Sequence, residues 1–331
     1  MNDESKSLPL NDIYRTIQND LDAVERLLKE LGGSSNPLIA EINGYLLEKS
    51  GKRIRPALLT LSAKLCGHQG RDHIFWSALV EIIHTASLIH DDIVDNSTLR
   101  RGQDTVHSRW GANITVLLGD FLYIQSIAMA LKTKVYDLID ILADVTAKMI
   151  EGELIEYSMS GNPDLAEDRY LEIIDMKTAQ LFADSCLIGG RLAGASPEDA
   201  LRLKEFGHNL GLAFQIIDDL LDYTGDAATL GKPVLSDIRE GRVTLPLIHA
   251  LRLATGEARA DLIRGYRERA GDPKAAARIL EAVAKTASLD YANDRAASYI
   301  AKAKEILAAF PATAHRESLV RIADLVLRRK K

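Results

Sequence analysis

Two five-residue stretches of this chain carry the same pattern of carboxylates: Asp91-Asp92-Ile93-Val94-Asp95 and Asp218-Asp219-Leu220-Leu221-Asp222. Each closes a mostly apolar run, Ile82 to Ile89 before the first and Leu212 to Ile217 before the second. If both runs are helical, the first and last Asp of each motif stand one turn apart on one face, roughly 6 Å along the axis. Such an arrangement is costly without a bound cation. Like charges about 4 Å apart repel by about 1 kcal/mol in water and about 4 kcal/mol at an effective dielectric near 20. Carboxylates at a helix C-terminus also oppose its macrodipole. Clusters of oxygen ligands suit hard cations, and Mg²⁺ binds through a few carboxylates together with substrate phosphates. A single copy would read as a solvated helix end. Two copies, each fused to an apolar helix, favour a metal site, because solvated acidic faces do not usually follow buried runs.

Basic residues supply the complement. Gly51-Lys52-Arg53-Ile54-Arg55-Pro56 packs three cations into four positions beside a glycine, and Arg100-Arg101-Gly102 follows the first acidic motif closely enough to fold back over it. Guanidinium groups grip phosphate oxygens in a planar fork, and lysine adds a point charge. Cations beside a Mg²⁺ site imply an anion between them, phosphate or diphosphate.

The elements that must position these groups are helical almost throughout. Apolar residues recur with helical period in Leu10 to Leu31, Leu38 to Lys49, Pro56 to Leu65, Ile74 to Asp95, Ala112 to Leu131, Val135 to Met159, Tyr170 to Leu192 and Glu198 to Asp222. Asn96 to Arg109 is polar and aperiodic, a loop. Tyr223 to Arg242, with three glycines and a proline, is too long for an ordinary connector. Thr244-Leu245-Pro246 restarts a helix, and Asp261 onward is alanine-rich, charged and helical. No compositional break divides residues 1–331, so the expectation is one all-α domain, a single large helical bundle around a central cavity.

Composition narrows the function classes. Hydrophobic residues make up 47% and charged residues 27% of the chain, normal for a soluble globular protein with a sizeable core. A net charge of −6 leaves no basic surplus for nucleic acid. Cys66 and Cys186 make no disulfide framework, and Met1 to Leu10 carries acidic residues where a signal peptide would be basic and then apolar, so a cytoplasmic setting is expected. The longest apolar tract, Ile114 to Leu131, is interrupted by Gly119, Asp120 and Gln125 and reads as short of a membrane span. At most, Arg328-Arg329-Lys330-Lys331 would touch an anionic membrane peripherally. Cys66-Gly67-His68 and His73 read as turn residues rather than a metal site.

From about Leu38 to Pro246 the chain resembles the trans-type prenyl diphosphate synthases, the polyprenyl synthetases. The resemblance rests on G-K-R-x-R-P at Gly51 to Pro56, on the two D-D-x-x-D motifs, on Arg100-Arg101-Gly102, on Lys177-Thr178, on Gln215 and on Gly231-Lys232. It implies that Lys52, Arg53, Arg55, His84 and Arg101 hold isopentenyl diphosphate, and that Arg100, Lys177, Thr178, Gln215 and Lys232 hold the allylic diphosphate. Asp91, Asp92, Asp95, Asp218, Asp219 and Asp222 would ligate three Mg²⁺ ions, with Asp91, Asp92, Asp95, Lys177, Asp218 and Asp219 in catalytic roles. Without the resemblance, His84 reads as a core histidine and Lys177 as a lysine reaching for solvent.

Chain length in this family is set where small or bulky residues precede the first motif. Here they are Ala86 and Ser87, both small, which implies a long all-trans product of six or more isoprene units, of the kind used for quinone side chains. Ile82, Ile83, Tyr123, Ile127 and Met129 are candidates for the tunnel floor. A homodimer is implied as well. Gly241-Arg242-Val243-Thr244-Leu245-Pro246 departs from the family's G-K-x-T-L-P and leaves Arg242 without an assigned role. The competing readings are a short-chain synthase of C15 to C20 products, a class I terpene cyclase, and a non-catalytic partner subunit. The second D-D-x-x-D stands where a cyclase carries a different metal motif, and a degenerate subunit would have lost charges that this chain keeps.

Overall fold

The computed structural model describes residues 10–33, 35–48, 51–100, 102–224, 234–270 and 272–329. The helices are α1 (Leu10–Tyr14), α2 (Gln18–Leu31), α3 (Pro37–Glu48), α4 (Ile54–Leu65), α5 (Asp72–Val94), α6 (Val106–Trp110), α7 (Ala112–Thr133), α8 (Tyr136–Met159), α9 (Glu167–Ile174) and α10 (Gln180–Leu192). After them come α11 (Pro197–Thr224), α12 (Ser236–Glu240), α13 (Leu245–Leu253), α14 (Gly256–Arg267), α15 (Pro273–Lys285), α16 (Ser288–Leu307) and α17 (Ala314–Leu327). The all-α expectation holds, with one two-residue hairpin, Leu99–Arg100 against Gln103–Asp104.

Packing follows from the apolar runs. α5 is buried on nearly all sides, with Trp76, Leu79, Ile83 and Ala86 essentially inaccessible. It lies against α4, α7 and α2, while α11 packs against α10 and α16. Two apolar clusters result, one around α11, α13, α16 and α17, the other around α5, α7 and α8. α4 and α10 serve both: Leu58 and Phe182 face the first cluster, Leu59 and Leu181 the second. Each such fully buried side chain contributes about 1.5–3 kcal/mol of transfer free energy. The helices carrying the two acidic motifs are thereby anchored in different cores.

Several boundaries differ from the sequence reading, each for a local reason. A turn of 3₁₀ helix at Arg15–Ile17 interrupts Leu10 to Leu31. Tyr170 to Leu192 is split by a π-helical turn, Asp175–Ala179, which adds a residue without breaking the apolar periodicity. The aperiodic stretch after Asp95 folds into the hairpin and α6. Of the expected loop Tyr223 to Arg242, residues 225–233 lie outside the described residues, whereas Ser236–Glu240 is helical.

α7 is long and apolar enough, by length and composition, to cross a membrane, contrary to the sequence expectation. One third of its most apolar window is nevertheless buried in the protein, where it lies against α5. Its outer side shows Leu117, Ile124 and Leu131 at seven-residue intervals.

Candidate active site

The first acidic motif occupies the last turn of α5, with Asp95 as the C-cap and its N–H donating to the Asp91 carbonyl at 2.8 Å. Asp92 is buried and accepts from Arg100 Nε at 2.7 Å, so the hairpin folds its guanidinium back onto the motif. Burial raises Asp92 against the opposing pull of Arg100. Asp91 is pushed up to about 7, chiefly by burial, with Glu153 and Asp95 adding to the rise and Lys177 and Arg100 opposing it. Three carboxylates thus crowd one helix end, and burial is the largest cost to the charged forms of Asp91 and Asp92.

Lys177 stands on the π turn, a distortion that recurs at functional sites. Its Nζ lies 2.7 Å from Glu153 Oε2 and 2.6 Å from Glu156 Oε2. Burial alone would lower its pKa; Glu156, Glu153 and Asp91 outweigh that and hold the ammonium charged. Gly152 makes the approach of α8 possible, since a Cβ there would meet the Lys177 backbone N at 2.8 Å.

The second motif is organised differently. Both oxygens of Asp219 are taken: Tyr170 Oη donates to Oδ2 at 2.6 Å and Gln215 Nε2 to Oδ1 at 2.9 Å. Thr178 Oγ1 in turn donates to Gln215 Oε1 at 2.8 Å. Burial raises Asp219 well above the ordinary carboxylate range, and neighbouring Asp237 and Asp218 add to it. Asp222 clasps the start of α12: Oδ1 accepts from Ser236 N at 3.1 Å and Ser236 Oγ at 2.6 Å, and Oδ2 accepts from Asp237 N at 3.1 Å. Asp218, half exposed, lies 3.2 Å from Arg329 Nη2, whose guanidinium stacks over Phe214 at 4.2 Å. A residue of the basic tail thus reaches the second motif.

Arg242 joins the two motifs. Its guanidinium pairs with Asp95 of the first, with Asp237 Oδ1 at 3.3 Å, with Glu240 Oε2 at 2.9 Å and with Glu156 Oε2 at 3.7 Å. Asp237 is the residue whose N–H is bound by Asp222, so a continuous chain runs Asp95, Arg242, Asp237, Asp222. Glu156 and Asp237 hold Arg242 charged against the cost of burial.

Among the basic residues, Arg55 Nη1 donates to His84 Nε2 at 3.0 Å and its guanidinium lies 4.7 Å over the Phe182 ring. Arg53, in the left-handed region with φ 51°, is gripped by Glu25 and by Glu81 at 2.5 Å, so its charge is matched within the protein. Arg53, His84, Asp92 and Arg100 line one pocket with Gly51 and Gln103. Of Lys52, the backbone carbonyl accepts from Tyr14 Oη at 3.0 Å. Arg101, Gly231 and Lys232 lie outside the described residues.

On α5, Ala86 is fully buried and Ser87 Oγ donates to the His84 carbonyl at 2.9 Å. Ile82 and Ile83 belong to the second core, with Ile127 and Met129 packed on it. Tyr123 packs on the same core, and burial, then Asp91 and Glu153, raise its hydroxyl pKa.

Five residues of this constellation were not singled out from the sequence for a role in the site: Tyr170, Glu153, Glu156, Asp237 and Arg242. Glu153 and Glu156 carried a signal, two carboxylates one turn apart in a helix with apolar faces, which is the criterion that revealed the aspartates. Tyr170 and Asp237 carried none.

An all-oxygen donor set with a carboxylate raised by burial and by its like-charged neighbours, flanked by Arg100 and Lys177, is suited to a hard divalent cation and an anionic substrate. The helical fold and this site define a class: metal-dependent enzymes that act on diphosphates. The polyprenyl synthetase family model matches residues 36–283, and the chain belongs to that family, whose members use a divalent metal. It is a trans-prenyltransferase. It is 36% identical to the octaprenyl diphosphate synthase of Escherichia coli (strain K12) over 97% of this chain and 99% of that relative. It is also 36% identical to an all-trans-nonaprenyl-diphosphate synthase (geranyl-diphosphate specific) of Rhodobacter capsulatus, over 96% and 97%. A polyprenyl synthase from Caulobacter crescentus CB15, solved with calcium and isoprenyl diphosphate, superposes with a TM-score of 0.93 at 37% identity, covering 98% of this chain and 99% of that one.

Proposed function

We propose that this protein condenses isopentenyl diphosphate head-to-tail with an allylic diphosphate and repeats the step to a long all-trans polyprenyl diphosphate of six or more isoprene units. The observation that supports this reading is the chain of contacts from Asp95 through Arg242 and Asp237 to Asp222, which links the two acidic motifs. Asp91, Asp92, Asp95, Asp218, Asp219 and Asp222 would hold three Mg²⁺ ions. When bound, the ions neutralise the diphosphate as its charge grows, which lowers the barrier to its departure.

Arg100 and Lys177 add fixed positive charge on the allylic diphosphate, and Thr178 and Gln215 orient it. The allylic C–O bond breaks and its electron pair leaves with the diphosphate. Lys52, Arg53, Arg55 and His84 hold isopentenyl diphosphate so that its double bond attacks the allylic cation, forming the new C–C bond. A proton then leaves the adjacent carbon for the released diphosphate, and a new double bond restores an allylic product five carbons longer. Arg53 takes part through the pocket wall that Glu25 and Glu81 fix. No side-chain nucleophile is needed.

Small Ala86 and Ser87 leave room for the growing chain along α5. The outward row Leu117, Ile124 and Leu131 on α7, continued by Ile150, Leu154 and Tyr157 on α8, supports a homodimer through these helices. We place the reaction in the cytoplasm, where Cys66 and Cys186 persist as thiols. A product chromatogram tests the reading: purified protein with farnesyl diphosphate, isopentenyl diphosphate and Mg²⁺ gives products longer than C20. Products ending at C15 to C20 establish a short-chain synthase, and no extension by the isolated chain establishes a partner subunit.

A further inference from the structure

The N-terminal end of α5 gathers a second set of ligating side chains. His68, in the turn after α4, and Asp72 and His73, in the first turn of α5, each offer one ligand atom, and these atoms all lie within 4.8 Å of one another. His68 and His73 are 8% and 0% exposed, so both imidazoles are buried. Their rings meet edge to face at 5.2 Å. His68 Nε2 stands 2.7 Å from Asp72 Oδ1, and His73 Nε2 stands 3.2 Å from Asp20 Oδ1 on α2. Those two nitrogens face carboxylate oxygens without a well-aligned hydrogen bond, and the buried His73 Nδ1 has no hydrogen-bond partner among the described residues. Burying an imidazole nitrogen without a partner costs about 1–3 kcal/mol unless something else binds it. Burial also lowers the His73 pKa, favouring the neutral form that ligates metals.

The turn is shaped around this cluster. A Cβ on Gly70 would stand 2.8 Å from Asp72 Oδ1 and 2.9 Å from His68 Nε2, so any larger residue there displaces these two side chains from one another. Asp72, more than half exposed, opens the cluster to solvent and gives an ion a path in. Asp20 brings a second carboxylate to the edge, shared with Lys64 Nζ at 4.0 Å.

We propose that His68, Asp72 and His73 bind one borderline-soft divalent cation of the zinc type, at the end of α5 opposite the first acidic motif. Two imidazoles with one carboxylate suit Zn²⁺, Co²⁺ or Ni²⁺, and the oxygen-rich cluster at Asp91 suits Mg²⁺. From His73 to Asp91 the helix rises roughly 27 Å, so the two sites do not share ligands. The ion ties the turn after α4 to α5 and, through Asp20, to α2. The turn residues thereby gain a role that their sequence pattern did not suggest.

The test uses the full chain, freed of metal by a chelator and then exchanged into millimolar Mg²⁺. Zn²⁺ is titrated in competition with a chromogenic chelator, and thermal unfolding is followed in parallel. Wild type takes up one Zn²⁺ per chain more than His68→Ala or Asp72→Asn, and Zn²⁺ raises the melting temperature of wild type alone. Prenyl transfer in Mg²⁺ is unchanged in both variants. Gly70→Ala keeps every ligand and fills the cluster with a methyl group; it loses the same Zn²⁺ with an unchanged far-UV spectrum. Asp20→Asn weakens binding about tenfold, as expected for a carboxylate outside the ligand set. Equal Zn²⁺ uptake and equal melting shifts in wild type, His68→Ala and Gly70→Ala overturn the proposal, as does wild type that takes up no Zn²⁺ under these conditions.

Discussion

The two acidic pentapeptides share a spelling and differ in what surrounds them. At Asp91, Asp92 and Asp95 the carboxylates are crowded by Glu153 and one another, and Asp91 rises to about 7. At Asp219 and Asp222 the oxygens are already occupied by Tyr170, Gln215, Ser236 and the Asp237 N–H. The first motif gathers negative charge at the end of a buried helix, where Arg100 on Asp92 and Arg242 on Asp95 offset part of it. The second spends its carboxylates on fixing α12 and the Thr178–Gln215 pair. Identical residues at identical spacing thus define a site whose one wall waits for cations and whose other wall is preassembled.

Substitutions separate the two walls. Asp91→Asn lowers kcat/KM by about 10³, since a metal ligand supplies several kcal/mol of transition-state stabilisation and about 1.4 kcal/mol corresponds to a factor of ten. Steady-state kinetics at saturating Mg²⁺ check this, and an unchanged rate breaks the contrast. Arg242→Ala costs about 3–5 kcal/mol of stability, because it strands the buried carboxylates of Asp95, Asp237 and Glu156; denaturant titration measures it, and Arg242→Lys recovers part of the loss.

The pH dependence sharpens the same contrast. Asp91 has a folded pKa of about 7 against an ordinary 3.8, so the native state holds a proton that the unfolded chain has released. Its contribution is therefore present at low pH and is lost as pH rises from about 4 through about 7. Without divalent metal, wild type loses stability across that window relative to Asp91→Asn, and Mg²⁺ removes the difference. On the preassembled wall the effects are smaller. Asp222→Ala lowers stability by about 1–3 kcal/mol, as Ser236 and Asp237 lose their acceptor. Tyr170→Phe costs about 1 kcal/mol and is read by the same titration.

Much of this organisation was legible in the residues. The long helices α5, α7, α8 and α11 announced themselves by apolar periodicity, and the aspartates by their cost at the ends of buried runs. What stayed hidden depended on contacts distant in sequence. Arg242 looked like a departure from a pattern because its partners Asp95 and Glu156 are far away along the chain. The pairing of Arg53 was hidden too, because nothing in G-K-R-x-R-P shows that Glu25 and Glu81 will meet it. The influence of Asp91 and Glu153 on Tyr123 was hidden as well, because helical spacing does not say which carboxylates of other helices a side chain meets. The His68 cluster depends on a turn geometry that brings His68 onto Asp72 and His73, and two histidines in a turn do not by themselves tell a ligand set from turn residues.

The π turn at Asp175–Ala179 has a consequence for how this helix can change. A π turn accommodates one residue more than the α-helix around it, so removing a single residue there would let the helix close to regular α geometry with its flanks nearly in register. Tyr170, reaching Asp219 from before the turn, would keep its direction, whereas Thr178, reaching Gln215 from within it, would be carried off its partner. Such a deletion would therefore remove one strut of the second wall and spare the other.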